Sequence, residues 1–318
     1  MRVAFVGKGG SGKTTLSALF SIWTVKKKQK DVALFDLDVN SHTGHLLGVK
    51  IDRKKELSNS ENSTGILTYL IGRNKRIHID EFLKTTPPGE GSNLIRLKDS
   101  NFVLKNYSQK FEKNGYLFTL GSYKDKEIGA SCHHSAQTIA ENILWHMVLT
   151  EKQVAVLDCV AGNDSFANSL YYQDIVIFIV KPEMEGVDVF KRYLHLASVA
   201  GIEKRVYALG NCVDTDKQSE FLKKHLSKKL IGVLSTNELI SDLRMEARKL
   251  TIDCVSDQYA KVFEKILEKT RKGKENDNNR LKTLYKIHKV EANKNWVRKT
   301  YRPGLIDQID PEFRYPQA

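Results

Sequence analysis

Short apolar segments alternate with longer helical segments along most of the chain. Five of these short segments are rich in apolar, largely β-branched residues and lie at residues 2–6, 32–35, 154–157, 175–180 and 205–209. Between them, apolar residues recur at helical spacing, as in residues 15–25 and 258–268. This alternation predicts a doubly wound α/β fold, with a mainly parallel sheet covered by helices on both faces. In such a sheet, ligands bind at the carboxyl ends of the strands.

The alternation of apolar strand segments with helical segments is interrupted between about residues 50 and 128. A polar stretch leads to a predicted helix at residues 65–71. Residues 101–107 and 115–119 flank an Asn114-Gly115 turn and alternate in polarity, which predicts a β-hairpin. We interpret this region as an insertion on one face of the main domain.

The chain after residue 270 differs in charge and pattern. The predicted division is a main domain over residues 1–270 and a basic tail over residues 271–318, with a hinge at residues 273–279. Four residues at helical spacing predict one more helix there, namely Leu281, Leu284, Tyr285 and His288. Proline residues then indicate an extended end.

Charge and composition narrow the classes of partner. The net charge is +13, and residues 271–318 hold 12 Lys or Arg against 6 Asp or Glu. A basic tail favours an anionic partner, either nucleic acid or a membrane surface, or serves solubility alone. No apolar run approaches the roughly 20 residues that span a bilayer, and the four cysteines form no C-x-x-C pair. We therefore expect a cytoplasmic protein.

The first strand leads into a glycine-rich turn that carries the strongest chemical signal. The run Gly7-Lys8-Gly9-Gly10-Ser11-Gly12-Lys13-Thr14-Thr15 fits G-x-x-x-x-G-K-T between a strand and a helix. Glycines let successive backbone N–H groups point inward at the helix N-terminus, which binds phosphate. Lys13 can reach the β- and γ-phosphates, and the Thr14 hydroxyl can complete a Mg²⁺ shell. The sequence therefore predicts a P-loop NTPase that binds ATP and Mg²⁺ with Gly7, Gly9, Gly10, Ser11, Gly12, Lys13, Thr14 and Thr15.

Lys8 is a second lysine inside this loop. With it, the loop resembles the variant loop of the MinD/ParA-type ATPases, K-G-G-x-G-K-T. In that family the additional lysine crosses a dimer interface to the partner's phosphates. The resemblance implies a homodimer in the ATP-bound state and a catalytic role for Lys8; the alternative is a solvated lysine that adds local positive charge.

Three aspartates follow predicted strands. Asp36 and Asp38 come after the second apolar segment, and Asp158 ends the third. Asp158 can hold the Mg²⁺ shell, and Gly162, four residues later, can respond to the γ-phosphate. The resemblance implies that Asp36 supports the Mg²⁺ shell and that Asp38 activates the attacking water; the alternative for a strand-end aspartate is a helix or turn cap.

Asn211 follows the predicted strand at residues 205–209. It matches the adenine-contacting asparagine of the family, and its amide offers both a donor and an acceptor to the base. An ordinary turn asparagine is the alternative.

Residues 121–136, GSYKDKEIGASCHHSA, resemble a segment of the nickel-maturation ATPases of carbon monoxide dehydrogenase, which carries a Cys-x-Cys pair. Here Ala130 replaces the first cysteine, and Cys132 precedes two histidines, the second of which is His134. Two subunits could together supply thiolates and imidazoles to Ni²⁺ or Zn²⁺ at a dimer interface. The alternative is a loop with incidental Cys and His.

Two functions follow from these features. The first is a slowly hydrolysing ATPase that acts as a nucleotide-dependent dimeric switch and matures or delivers a metal to an unidentified client protein. The alternative is a scaffold or positioning protein of the MinD/ParA kind that binds DNA, membrane or a protein complex through its basic tail.

Overall fold

The computed structural model describes residues 1–38, 42–121, 133–301 and 303–316, with side chains of residues 133–136 excepted. Its centre is an eight-stranded sheet in the order β3-β4-β2-β5-β1-β6-β7-β8. The strands are β1 Arg2–Gly7, β2 Asp31–Asp36, β3 Gln109–Glu112, β4 Gly115–Thr119, β5 Gln153–Asp158, β6 Ile175–Val180, β7 Val206–Asn211 and β8 Leu230–Leu234. All neighbours pair in parallel except β3 and β4. The predicted doubly wound, mainly parallel α/β fold is confirmed.

Helices connect these strands. Those of the first half are α1 Lys13–Lys28, α2 Thr43–Leu47, α3 Ser60–Ile71, α4 Phe102–Tyr107 and α5 His133–Trp145. Those of the second half are α6 Met184–Val199, α7 Asp216–Leu226, α8 Glu238–Met245, α9 Asp257–Gly273, α10 Asp277–Ala292 and α11 Asn295–Thr300. Among the described residues, no helix has both the length and the apolar character needed to cross a membrane.

Successive residues of the central strands point to opposite faces of the sheet, and each face has its own hydrophobic core. Val3 and Phe5 of β1 pack in the core that contains α1 and α9. Ala4 and Val6 pack in the core that contains α3, α5, α6 and part of α10. Both faces are therefore buried, which explains why the strands read as continuous apolar runs.

The predicted hairpin is present, but its first strand was placed wrongly. Residues 102–107 form α4, because the Asn101 side chain caps this helix by accepting hydrogen bonds from the backbone N–H of Val103 and Leu104, at 3.0 and 3.3 Å. The partner of β4 is instead β3, and the Asn114-Gly115 turn lies between them. Since β4 also pairs with β2, the hairpin extends the central sheet.

The basic segment after α9 packs against the rest of the molecule. Arg280 of α10 is buried, stacks on Trp145 at 4.7 Å and donates a 2.8 Å hydrogen bond to the backbone oxygen of Tyr172. Further along, Tyr315 is buried and its hydroxyl donates to the backbone oxygen of Trp145. The predicted helix is confirmed as α10. The extended end is correct only in part, because α11 and a short 3-10 turn at Leu305–Gln308 come first, while residues 309–316 form no helix or strand. The domain boundary at residue 270 stays a prediction.

Candidate nucleotide site

The glycine-rich loop connects β1 to α1 at the carboxyl edge of the sheet. Gly7, Gly10 and Gly12 have φ of 148°, 73° and 100°, a region of backbone space that favours glycine. A Cβ atom on Gly7 would lie 2.6 Å from the backbone oxygen of Ile179 on β6. Gly12 is the N-cap residue of α1, and no side chain makes a capping hydrogen bond there. The loop thus presents the N-terminus of α1, which favours anions.

The two lysines of the loop have different surroundings. Lys13 is buried, and its Nζ lies 3.4 Å from the backbone oxygen of Lys8. Lys8 is half exposed, and its Nζ forms a 3.1 Å ion pair with Glu183, which precedes α6. An ion pair this exposed contributes about 0–1 kcal/mol, so little free energy opposes release of Lys8. Its predicted role across a dimer interface stays a prediction.

Asp36 and Asp158 end adjacent strands and lie opposite each other in the pairing of β2 with β5. Both are 1% exposed. Asp36 accepts from the backbone N–H of Asp38 and Thr43, at 3.4 and 3.3 Å. The two aspartates predicted at the ends of these strands therefore lie together at one edge of the sheet, and their roles in the Mg²⁺ shell stay predictions.

The charge on Asp158 is poorly compensated. Neither of its carboxylate oxygens makes a hydrogen bond of normal geometry with the described residues. Its pKa is raised well above the ordinary value, chiefly because burial disfavours the charged form and then because Asp36 lies beside it. The Thr14 hydroxyl and the Lys13 ammonium group lower the pKa of Asp158, so both loop residues lie near this carboxylate.

This arrangement fits a hydrated Mg²⁺ ion bound together with a triphosphate. Two buried carboxylates next to the Thr14 hydroxyl, Asp36 and Asp158, are hard oxygen ligands, which Mg²⁺ prefers. Thr14, Asp36 and Asp158 would hold the metal and its water shell. When bound, the ion would neutralise phosphate charge.

Asn211, at the end of β7, is buried, and its Nδ2 donates a 2.8 Å hydrogen bond to the backbone oxygen of Ser11. A Cβ atom on Gly12 would collide with this amide. Asn211 therefore holds the phosphate loop in place. Its predicted contact with adenine stays a prediction.

A cavity of about 480 Å³ opens beside the loop. It is lined by Gly10, Gly12, Lys13, Thr14, Thr15, His42, His45, Leu46, Arg244, Ala247 and Arg248. Two arginines and two histidines thus join the loop, and they suit a phosphate chain. The segment with the arginines is held to α2 by a 2.8 Å hydrogen bond from Leu250 N to Leu46 O. These four residues were missed from the sequence, since no motif links positions some 200 residues apart.

The predicted transition-metal ligands are only partly placed. Cys132 lies outside the described residues, and His134 belongs to the first turn of α5 with its side chain not described. Within the described part of the chain, no group of three or more His, Cys, Asp or Glu residues is arranged to hold a metal ion. The Ni²⁺ or Zn²⁺ site stays a prediction.

Comparison with known proteins places this fold and loop in a family. Residues 3–293 match the family model of the CobQ/CobB/MinD/ParA nucleotide binding domain. An uncharacterized ATP-binding protein of Methanocaldococcus jannaschii is 23% identical over 258 residues, which covers 80% of this chain and 95% of that protein.

Solved structures agree on the fold. The cell division ATPase MinD of Pyrococcus furiosus superposes with a TM-score of 0.55 at 16% identity, covering 85% of this chain and 98% of that one. The septum site-determining protein MinD of Pyrococcus horikoshii, solved with Mg-ADP, gives a TM-score of 0.54 at 14% identity, covering 85% and 96%. The chain belongs to the CobQ/CobB/MinD/ParA family of nucleotide-binding domains.

Proposed function

We propose that this protein is an ATPase in which Mg·ATP binding closes a homodimer and slow hydrolysis reopens it. The observation that carries the proposal is the pair Asp36 and Asp158 beside the phosphate loop, where neither oxygen of Asp158 makes a hydrogen bond of normal geometry with the described residues. A buried carboxylate in this state favours a bound cation. The Mg-ADP complex of the similar Pyrococcus horikoshii protein supports this reading.

In this mechanism the loop N–H groups and Lys13 stabilise charge on the phosphates by position and electrostatics. Asp38 orients the attacking water, because it follows β2 at the edge of the same site and is only half buried. Lys8 leaves Glu183 of its own chain and contacts the phosphates bound by the partner. The exposed ion pair that it gives up costs little.

The test is the oligomeric state measured by light scattering, with and without a Mg·ATP analogue that is not hydrolysed. Wild type should change from monomer to dimer on adding the analogue. Lys8→Ala should bind the nucleotide but remain monomeric, whereas Lys13→Ala should lose both properties. Lys27→Ala, at the exposed end of α1, is the matched control. A dimer of unchanged affinity in Lys8→Ala would exclude the crossing role.

We further propose metal maturation or delivery to a client as the use of this switch, on the resemblance at Cys132 and His134. This second proposal rests on the sequence resemblance alone. Metal content of the purified protein, with and without ATP, tests it: Cys132→Ser should lose a stoichiometric Ni²⁺ or Zn²⁺ that Cys212→Ser retains. A wild-type protein with only trace metal in both states would refute it.

One observation favours the alternative, a scaffold that binds an anionic partner through its basic tail. Between residues 279 and 300, six basic side chains are exposed, and the single carboxylate, Glu291, is buried. Full-length protein with charge reversals on this surface should lose salt-dependent binding to the partner.

A further inference from the structure

A second cavity, of about 330 Å³, lies between α10 and the segment that follows Asp158. One wall is formed by residues 166–169 and Tyr171, and the other by Lys286, Ile287, Val290, Glu291 and Lys294. Lys84 and Thr85 close the remaining side. None of these residues belongs to the nucleotide site, and the cavity exists only because α10 packs against the body.

The rim of this cavity is basic. Lys84 and Lys294 both pair with the buried carboxylate of Glu291, at 3.5 and 2.7 Å. Lys286 is exposed and makes no ion pair or hydrogen bond with any described residue. Three ammonium groups and one carboxylate therefore line the cavity, and the excess positive charge suits an anionic ligand.

Both walls of the cavity contribute apolar side chains, and the faces of the aromatic rings among them already contact other rings. Val290 is 67% exposed, and Ile287 lies beside it, half buried. Phe166 and Tyr171 stack on each other at 5.2 Å, while Phe166 also packs against Tyr193 at 4.7 Å. Since these ring faces already contact other rings, they do not offer the platform on which nucleic acid bases stack. A concave site of this size also does not match a flat membrane surface.

The wall that contains Asn168 is connected to the nucleotide site. Asn168 donates to Gln137 of α5 at 2.7 Å, and Gln137 donates to the backbone oxygen of Leu37, between Asp36 and Asp38. On the other side, the N–H of Gly162 donates to the backbone oxygen of Gly7 at 2.9 Å. Movement of the loop after Asp158 would thus change the shape of this cavity.

We propose that this cavity is the docking site for an acidic segment of a partner protein, with an apolar side chain against Val290 and carboxylates at Lys286 and Lys294. Charge complementarity at the rim and the apolar side chains of the concave walls select this class of ligand. The dependence of docking on nucleotide rests on the proposed function, whereas docking itself does not.

The test uses fluorescence anisotropy of a short labelled peptide of Asp and Glu residues with a central Leu-Phe pair, added to the full-length protein. Saturable binding is expected, and Lys286→Glu should raise the Kd at least about fivefold, because it places like charges together. Lys289→Glu makes the same charge change on the same helix outside the cavity and should bind as wild type.

Two further arms separate the apolar contact and the class of partner. Val290→Ser should weaken binding, whereas Val199→Ser, equally solvent-facing on α6 but away from the cavity, should not. A single-stranded oligonucleotide and vesicles of phosphatidylglycerol should bind without dependence on Lys286. Equal effects of Lys286→Glu and Lys289→Glu, no peptide binding, or Lys286-dependent binding of the oligonucleotide or vesicles would overturn the proposal.

The same titration with the Mg·ATP analogue tests the link to nucleotide. A changed Kd supports the connection through Asn168 and Gly162. An unchanged Kd overturns the link while the docking site stands, and the light-scattering experiment decides the switch separately.

Discussion

Replacing Asp158 by Asn should make the protein more stable without ligand and remove its stabilisation by Mg·ATP. Asp158 is buried next to Asp36, and neither of its oxygens has a hydrogen-bond partner of normal geometry among the described residues. Asn keeps the size of the side chain and removes the charge. Replacing buried ionic groups by uncharged residues of similar volume is often neutral or stabilising by about 1–4 kcal/mol. Because Lys13 and Thr14 offset part of the charge, we expect about 1–2 kcal/mol.

This gain should depend on pH with a definite sign. The pKa of Asp158 is raised in the folded protein, so the native state keeps its proton where the unfolded chain has released it. Wild-type stability therefore falls as pH rises above the ordinary pKa of 3.8 and up to the raised value. The Asn variant has no such dependence at this position. The difference in unfolding free energy should be largest at alkaline pH and should disappear near pH 4.

The assay is chemical unfolding of both proteins at several pH values, with and without Mg·ATP. At one hundred times its Kd, a ligand adds about 2.7 kcal/mol to the wild type, and Asp158→Asn should gain much less. Asp242→Asn, on the exposed face of α8, controls for the loss of one charge. A variant that is less stable than wild type at alkaline pH without ligand, or equal protection of both by Mg·ATP, would show that this carboxylate is compensated and is not the metal anchor.

Three further expectations concern the loop, α5 and α10. Gly12→Ala should lose about 1–3 kcal/mol of stability, because φ is 100° and the added methyl group would collide with Asn211. In thermal unfolding it should also lose protection by Mg·ATP. Gly9→Ala is the control and should keep its stability, because open space surrounds that position. Burial raises the pKa of Glu141 to about 7, so wild-type stability should fall as pH rises from 4.5 to 7. Glu141→Gln keeps a hydrogen-bond acceptor for Ser169 and should flatten this part of the plot of stability against pH. An unchanged slope in this variant would refute the assignment. Leu284→Ala should destabilise the main unfolding transition by about 2–5 kcal/mol, because this side chain is fully buried in the core of the body; a separate early transition would mean that the tail unfolds independently.

Much of the fold could be predicted because its signals are local. The buried strands read as continuous apolar runs, since both of their faces are covered, and the phosphate loop is contiguous in sequence. The strand predicted at residues 101–107 was wrong, because the capping hydrogen bonds of Asn101 outweigh a weak alternation of polarity. Strand β8, at the edge of the sheet and only partly buried, was not anticipated.

The chain by itself determined the fold class, the phosphate loop and the carboxylates at one edge of the sheet, since parallel strands bring their carboxyl ends together whatever connects them. Only the tertiary structure decided that Arg244 and Arg248 line the nucleotide cavity, that Asn211 holds Ser11, and that the basic segment encloses a second cavity with residues 166–169 and Tyr171. These contacts join positions far apart in sequence. The packing of α8 and α10 against the sheet decides which residues meet, and no local sequence pattern predicts these contacts.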